Sequence, residues 1–155
     1  MKRFSFLILA IFSVSLLSCQ EKKKDQKSEK DGAPLAVQEN FQKKYPGEDD
    51  PDWKQDDHDY WEAHFKKDGI KYRADFNADG SWVETENSID KEELPEVVKQ
   101  IIEEKYADRE ITEVEHVMNA KEGEFYDVEF KQKGKNMDVE FRKDGSIIKV
   151  ENRKD

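Results

Sequence analysis

From Pro34 onward the chain is written twice. Pro34, Val37, Phe41 and Tyr45 recur as Pro95, Val98, Ile102 and Tyr106 at a constant offset of 61. Trp61, Ala63, Phe65, Gly69, Phe76, Asp79, Gly80, Ser81, Glu86 and Asn87 recur as Tyr126, Val128, Phe130, Gly134, Phe141, Asp144, Gly145, Ser146, Glu151 and Asn152 at an offset of 65. Nine of the 23 positions from Phe65 to Asn87 are identical to their counterparts, and four residues are gained near Asn119–Gly123. Self-similarity at a fixed period constrains a fold more than any local motif, because each copy must solve the same burial problem in the same way.

Each copy opens with a helical stripe. Val98, Ile101, Ile102 and Tyr106 share one face of a helix, as do Val37, Phe41 and Tyr45 before Pro46 stops the run. Asp90 with Glu93 has the spacing of a capping box. The period then changes to two. Trp61, Ala63 and Phe65 alternate with polar neighbours, as do Tyr72, Ala74 and Phe76. Asp79-Gly80 reads as a two-residue hairpin turn. Closed there, it sets Phe76 opposite Val83 and Ala74 opposite Thr85. Asp144-Gly145 likewise sets Phe141 opposite Ile148 and Val139 opposite Val150. The fold expected is α+β, a tandem repeat of a helix followed by antiparallel strands, with the helices packed on one face of a shared sheet. A unit of about 60 residues has a marginal core alone, so the two copies are expected to pack as one body.

Composition enters where it excludes. The 155 residues carry a formal charge of -10, and 41% of them are charged. An acidic chain repels phosphate backbones, so no nucleic-acid partner is expected. Three Trp, five Tyr and nine Phe separate most of the chain from disordered, charge-rich sequences. The single cysteine excludes an intramolecular disulfide and a Cys-rich zinc site.

That cysteine has a context. Lys2 and Arg3 precede an apolar run from Phe4 to Leu17 that ends in Leu16-Leu17-Ser18-Cys19. Fourteen helical residues rise about 21 Å, short of a ~30 Å hydrocarbon core, and read as a signal peptide rather than a membrane span. The ending resembles a bacterial lipobox, in which the cysteine is acylated and becomes the new amino terminus. Residues 1–18 are therefore expected to be removed, Cys19 to be the lipid attachment point, and the formal charge to move from -10 to -12 as Lys2 and Arg3 are lost. Residues 19–33 hold the lipidated cysteine and a tether without large apolar side chains. The first copy spans 34–93 and the second 94–155.

The runs FQKKYPGEDDPDW, YWEAHF, ADFNADGSWVETEN and ELPEVVKQII resemble the bacterial PepSY-like, beta-lactamase-inhibitor-like secreted proteins. The resemblance covers Pro34 to Asn152. It implies tandem α+β repeats whose sheets form one concave surface, an extracytoplasmic setting and no enzyme activity.

Candidate chemistry is sparse. Asp75, Asn77, Asp79, Gly80 and Glu86 satisfy the EF-hand spacing D-x-[DN]-x-[DN]-G-x5-E. Their flanks have strand period, and the second copy puts Arg142 and Lys143 where ligands would be. A hairpin turn is the expected reading, with Asp75, Asn77, Asp79 and Glu86 kept as weak metal candidates. The acidic stretch Glu48–Asp59 is expected to be a solvated loop. No catalytic triad or phosphate-cradling loop is visible, and no cofactor is expected.

Tyr60, His64, Trp82, Phe125 and Ile147 fall on the polar side of the alternation. Large rigid groups on a charged face are suited to recognition. These five are the expected partner-binding residues of a non-enzymatic envelope lipoprotein. Its partner would be a protein or peptide, for instance a secreted enzyme that it inhibits, and its only membrane contact the lipid anchor. A periplasmic calcium- or small-ligand-binding protein using the acidic loops is the alternative.

Overall fold

The computed structural model describes residues 32–132 and 134–153. The expected signal peptide and Cys19 lie outside the described residues. Helix α1 (Leu35–Lys44) leads into strands β1 (Asp52–Gln55), β2 (Trp61–Lys67), β3 (Ile70–Phe76) and β4 (Trp82–Ser88). A 3-10 turn (Lys91–Glu93) precedes helix α2 (Glu96–Tyr106). Strands β5 (Glu110–Asn119), β6 (Gly123–Gln132), β7 (Lys135–Phe141) and β8 (Ile147–Arg153) follow.

All eight strands form one antiparallel sheet in the order β1 to β8. This corrects the expectation of an α+β tandem of helix–strand units. Strand β4 pairs directly with β5 over five residues, from Glu84–Asn119 to Ser88–Glu115. The chain is a single continuous meander, mostly β, with two short helices laid on it. The capping box is also reassigned. The Glu93 carboxylate accepts from the Asp90 N–H at 3.1 Å, but it closes the 3-10 turn, and Pro95 stands at the start of α2.

Both helices lie on the same face. Val37 and Phe41 of α1 pack on Ala63, Ala74 and Phe76, with Trp53, Trp61, Phe65 and Trp82 around them. Val98 and Ile102 of α2 pack on Val114, Tyr126, Val128, Phe130, Met137, Val139 and Phe141. Thr85, bonded to Tyr45 just beyond α1, is the cross-strand partner of Met118. Met118 shares its side of β5 with Val114, which touches the α2 cluster, so the two contacts lie on one side of the sheet. Ala33, at the end of the expected tether, is 1% exposed and belongs to the α1 cluster.

Two departures from the expected register matter. Ala74 does face Thr85 and Val139 does face Val150, but Phe76 pairs with Trp82 and Phe141 with Ile147. The turn is longer than two residues. The Asn77 N–H reaches the Ser81 carbonyl at 2.9 Å, and the Gly80 N–H reaches the Asn77 carbonyl at 2.8 Å, with Gly80 at φ 87°. Asp79 Oδ1 accepts from the Ser81 N–H and hydroxyl, closing an Asx turn inside the loop. A bulge between Asp75 and Phe76 absorbs the extra residue, and the same shift recurs between Glu140 and Phe141. A Cβ on Gly80 would stand 2.5 Å from the Ala36 carbonyl oxygen, so this turn presses closely on α1.

Strand β1 was not expected. The Glu48–Asp59 stretch reads as solvated acid, yet Trp53 places its ring 5.4 Å from Phe41 and 6.4 Å from Phe76. Partial burial of this one indole anchors four residues against β2.

Candidate functional site

The face opposite the helices is uncovered among the described residues, and cross-strand register decides its chemistry. Glu62 pairs with Asp75, and Asp75 with Glu84, placing three acidic residues in a row across β2, β3 and β4. Glu115 pairs with Asp127 and Asp127 with Glu140, a second row across β5, β6 and β7, ended by Lys149. Glu129, Asp138 and Glu151 make a third across β6, β7 and β8. Like charges directly opposite each other destabilise a sheet. This face concentrates them.

Between the first two rows runs a line of different character: His64, Arg73, Glu86, Val117 and Phe125, each the cross-strand partner of the next. Arg73 is the central cation. Its Nη2 lies 2.9 Å from Glu86 Oε2 and its Nε 3.4 Å from Asp75 Oδ1. Burial alone would lower its pKa. Glu86, Asp75, Glu62 and Glu115 outweigh that and hold the guanidinium above its ordinary value.

One arginine does not neutralise its surroundings. Asp75 is 4% exposed and Glu86 8%. Burial pushes the Asp75 carboxyl up to about 7, with Arg73 opposing and Glu84, Glu62 and Asp56 adding to the rise. Burial also pushes Glu86 up to about 8, reinforced by Glu115, to which it is hydrogen-bonded. Glu115 is raised by the same causes, burial first and Glu113 next. Glu140 is raised by burial too, partly offset by Lys149. Asp75 and Glu86 therefore keep protons near neutrality, with Arg73 the cation that opposes their rise.

The residues expected to bind a partner are dispersed by this geometry. His64 is on the uncovered face, with Nε2 2.8 Å from Glu62 Oε2. Phe125 is there as well, but sunk beside Val117 to 5% exposure, so it is a floor and not a protruding anchor. Tyr60 precedes β2, and its N–H is held by Asp56 Oδ1 at 2.7 Å. Trp82 and Ile147 are corrected to the helix face, because the bulges reverse their parity and pair them with Phe76 and Phe141. Trp82 packs on the α1 cluster and donates from Nε1 to Thr85 Oγ1 at 2.9 Å.

The calcium-like spacing is also taken apart. Asn77 and Asp79 are bound up with Ser81 in the turn, whereas Asp75 and Glu86 engage Arg73 on the sheet face. Among the described residues no three His, Cys, Asp or Glu side chains are grouped to hold a metal ion. Nor is any helix among them long and apolar enough to cross a membrane.

Sequence reading saw a charged face but missed Arg73 as its centre and the acidic rows as its pattern. Each acid is ordinary in a chain with 37 of them. Only the pairing of non-adjacent segments, β4 with β5 above all, lines them up.

Comparison with known proteins follows the same outline. No curated protein matches the chain. A solved DUF2874 family protein from Bacteroides ovatus is 26% identical, with a TM-score of 0.70 over 79% of this chain and 89% of its own. Another, from Bacteroides uniformis, is 25% identical, with a TM-score of 0.69 over 77% and 89%. A BLIP-like protein from Bacteroides fragilis shares the fold at 24% identity, with a TM-score of 0.67 over 77% and 86%. The family model for beta-lactamase-inhibitor-like, PepSY-like proteins matches residues 59–149, from just before β2 into β8 and across the first two acidic rows. The chain belongs to the PepSY-like, beta-lactamase-inhibitor-like family.

Proposed function

We propose that this is a non-enzymatic envelope protein whose uncovered sheet face captures a cationic protein or peptide. The observation that carries the reading is the set of like-charged carboxyls placed directly opposite one another, with Glu86 and Asp75 buried and holding protons near neutrality. Such an arrangement costs stability in the free protein. A partner that brings lysine or arginine side chains removes the cost, and the Val117–Phe125 floor offers apolar contact between the rows. A secreted enzyme with a basic surface is one partner of this kind, and capture would then inhibit it.

Isothermal titration with a lysine-rich peptide at low salt tests this. Because the cation favours ionised carboxylates, affinity should rise as pH increases from 6 to 9, and binding at pH 7 should release protons. Replacing both Glu86 and Glu115 with glutamine should weaken binding by about tenfold or more. Glu92→Gln, on the 3-10 turn away from this face, should leave it unchanged. Affinity indifferent to pH and to the double substitution would sink the reading.

Envelope attachment through Cys19 belongs to the same proposal and is supported by the basic start and the Leu16–Cys19 ending. Metabolic labelling with a fatty acid should mark the protein in the membrane fraction. Cys19→Ala should abolish the label, and a labelled Cys19→Ala protein would refute lipidation at this residue.

A further inference from the structure

The helix face holds a second feature that the carboxylate rows do not explain. Helix α1 has ten residues and ends at Lys44, with Pro46 preventing its continuation. Beyond that end, the sheet surface from β2 to β5 is left without a helical cover. A cleft of about 410 Å3 opens there, floored by Phe65, Tyr72, Trp82 and Met118. The Phe65 and Tyr72 rings are stacked 5.5 Å apart at 20°, a flat aromatic surface. Polar groups in the floor are already engaged: Tyr45 Oη and Trp82 Nε1 both bond to Thr85 Oγ1. His116 Nε2 is 2.9 Å from Glu124 Oε1.

The exception is Lys44. Its ammonium sits 3.5 Å from the centroid of the Trp82 ring and 5.8 Å from that of Tyr45. It has aromatic faces for company but, among the described residues, no carboxylate within ion-pair distance. Contact with those rings removes part of the ammonium's hydration and lowers its pKa. Lys67 adds a second positive charge at the rim, with Asp68 beside it.

We propose that this cleft binds a small aromatic carboxylate, its ring against Phe65, Tyr72 and Met118 and its carboxylate beside the Lys44 ammonium. The volume suits a two-ring ligand rather than a folded partner. The flat aromatic floor gives offset stacking, and the methionine adapts to the ring edge. Lys44 supplies the selection for charge, in a setting less screened than open water. The site lies on the opposite side of the sheet from the acidic rows and does not depend on their function.

Titration of the full chain with 2-naphthoate, followed calorimetrically, tests the assignment. A ligand of this size in a formed cleft should saturate with a dissociation constant of about 1 mM or tighter. The neutral analogue 2-naphthalenemethanol should bind about tenfold more weakly. Lys44→Gln should bring the two ligands to equal affinity. Met118→Trp, which fills the cleft from an exposed position, should weaken both by about tenfold while the melting temperature stays within a few degrees. Lack of saturable naphthoate binding, including through occupation of the cleft by the protein's own chain, would overturn the proposal. So would equal wild-type affinity for acid and alcohol, or binding unaffected by Met118→Trp.

Discussion

Replacing Phe41 with alanine is expected to cost about 3–5 kcal/mol, the range for truncating a fully buried aromatic side chain. Phe41 is 0% exposed, and its ring centroid lies 5.2 Å from Tyr45, 5.4 Å from Trp53, 5.2 Å from Phe65 and 6.2 Å from Phe76. Four rings, one just beyond α1 and one each from β1, β2 and β3, close on this one side chain. A ten-residue helix is marginal in water, so α1 owes its stability to that contact more than to its own backbone. Small domains have about 5–15 kcal/mol in total, and the loss therefore removes a large fraction of it. Urea unfolding followed by tryptophan emission measures the effect directly, since Trp53, Trp61 and Trp82 all touch this cluster. Leu35→Ala, at a 44% exposed position of the same helix, should stay within about 0.5 kcal/mol. A Phe41→Ala loss below about 1 kcal/mol would mean that α1 is not docked as described.

Arg73→Met is the second large effect, and its size should depend on pH. Removing one partner of a buried charge cluster leaves the others uncompensated and costs about 3–5 kcal/mol. Here the partners are Glu86 and Asp75, whose carboxyls are raised to about 8 and about 7. Below pH 5 both are protonated, so Arg73 has little ionised charge to compensate and methionine should be tolerated. Above pH 8 both are ionised, and the full loss should appear. The wild-type protein should show the related trend. A carboxyl raised on folding binds more protons in the native than in the unfolded state, so its contribution to stability is complete below about 4.5. That contribution declines as pH rises toward 8. Thermal melts of the wild type and of Arg73→Met from pH 5 to 9 should therefore diverge with increasing pH. Parallel curves would refute the assignment of Arg73 as the compensating charge.

Much of the local architecture could be read before any coordinates. The stripe of Val98, Ile102 and Tyr106 does form a helix, and the alternation of Trp61, Ala63 and Phe65 does form a strand. Those patterns are local, and a single face buried at period 3.6 or 2 leaves a legible trace. The reading failed where structure depends on turn length and on pairing between distant segments. Assuming a two-residue turn at Asp79-Gly80 put Trp82 on the wrong face, because one bulged residue reverses the parity of what precedes it. Trp53 was lost in an acidic run whose hydrophilicity masks a single half-buried indole. The tandem reading took the recurrence in sequence as two helix–strand units on a shared sheet, whereas β4–β5 hydrogen bonding makes all eight strands one continuous, mostly β meander. Of the residues expected to form the site, His64 and Phe125 reached the uncovered face. Arg73 carried no signal, being one charged residue among many, and Asp75 and Glu86 stood out only for a calcium-like spacing that the fold takes apart.

The meander order has a further consequence at its rims. A sheet whose strands follow one another in sequence leaves its first and last strands as its edges, and these differ here. Strand β1 is four residues long, and Asp52, Lys54 and Gln55 are exposed, which makes a poor template for another chain. Strand β8 is seven residues long, with Val150 48% and Ile147 38% exposed. Lys149 and Glu151 flank Val150 and bridge to each other at 2.6 Å, charged guards on the strand with the most backbone to offer. Lys149 and Glu151 thus guard this edge against pairing with another chain, where natural sheets characteristically place such charges.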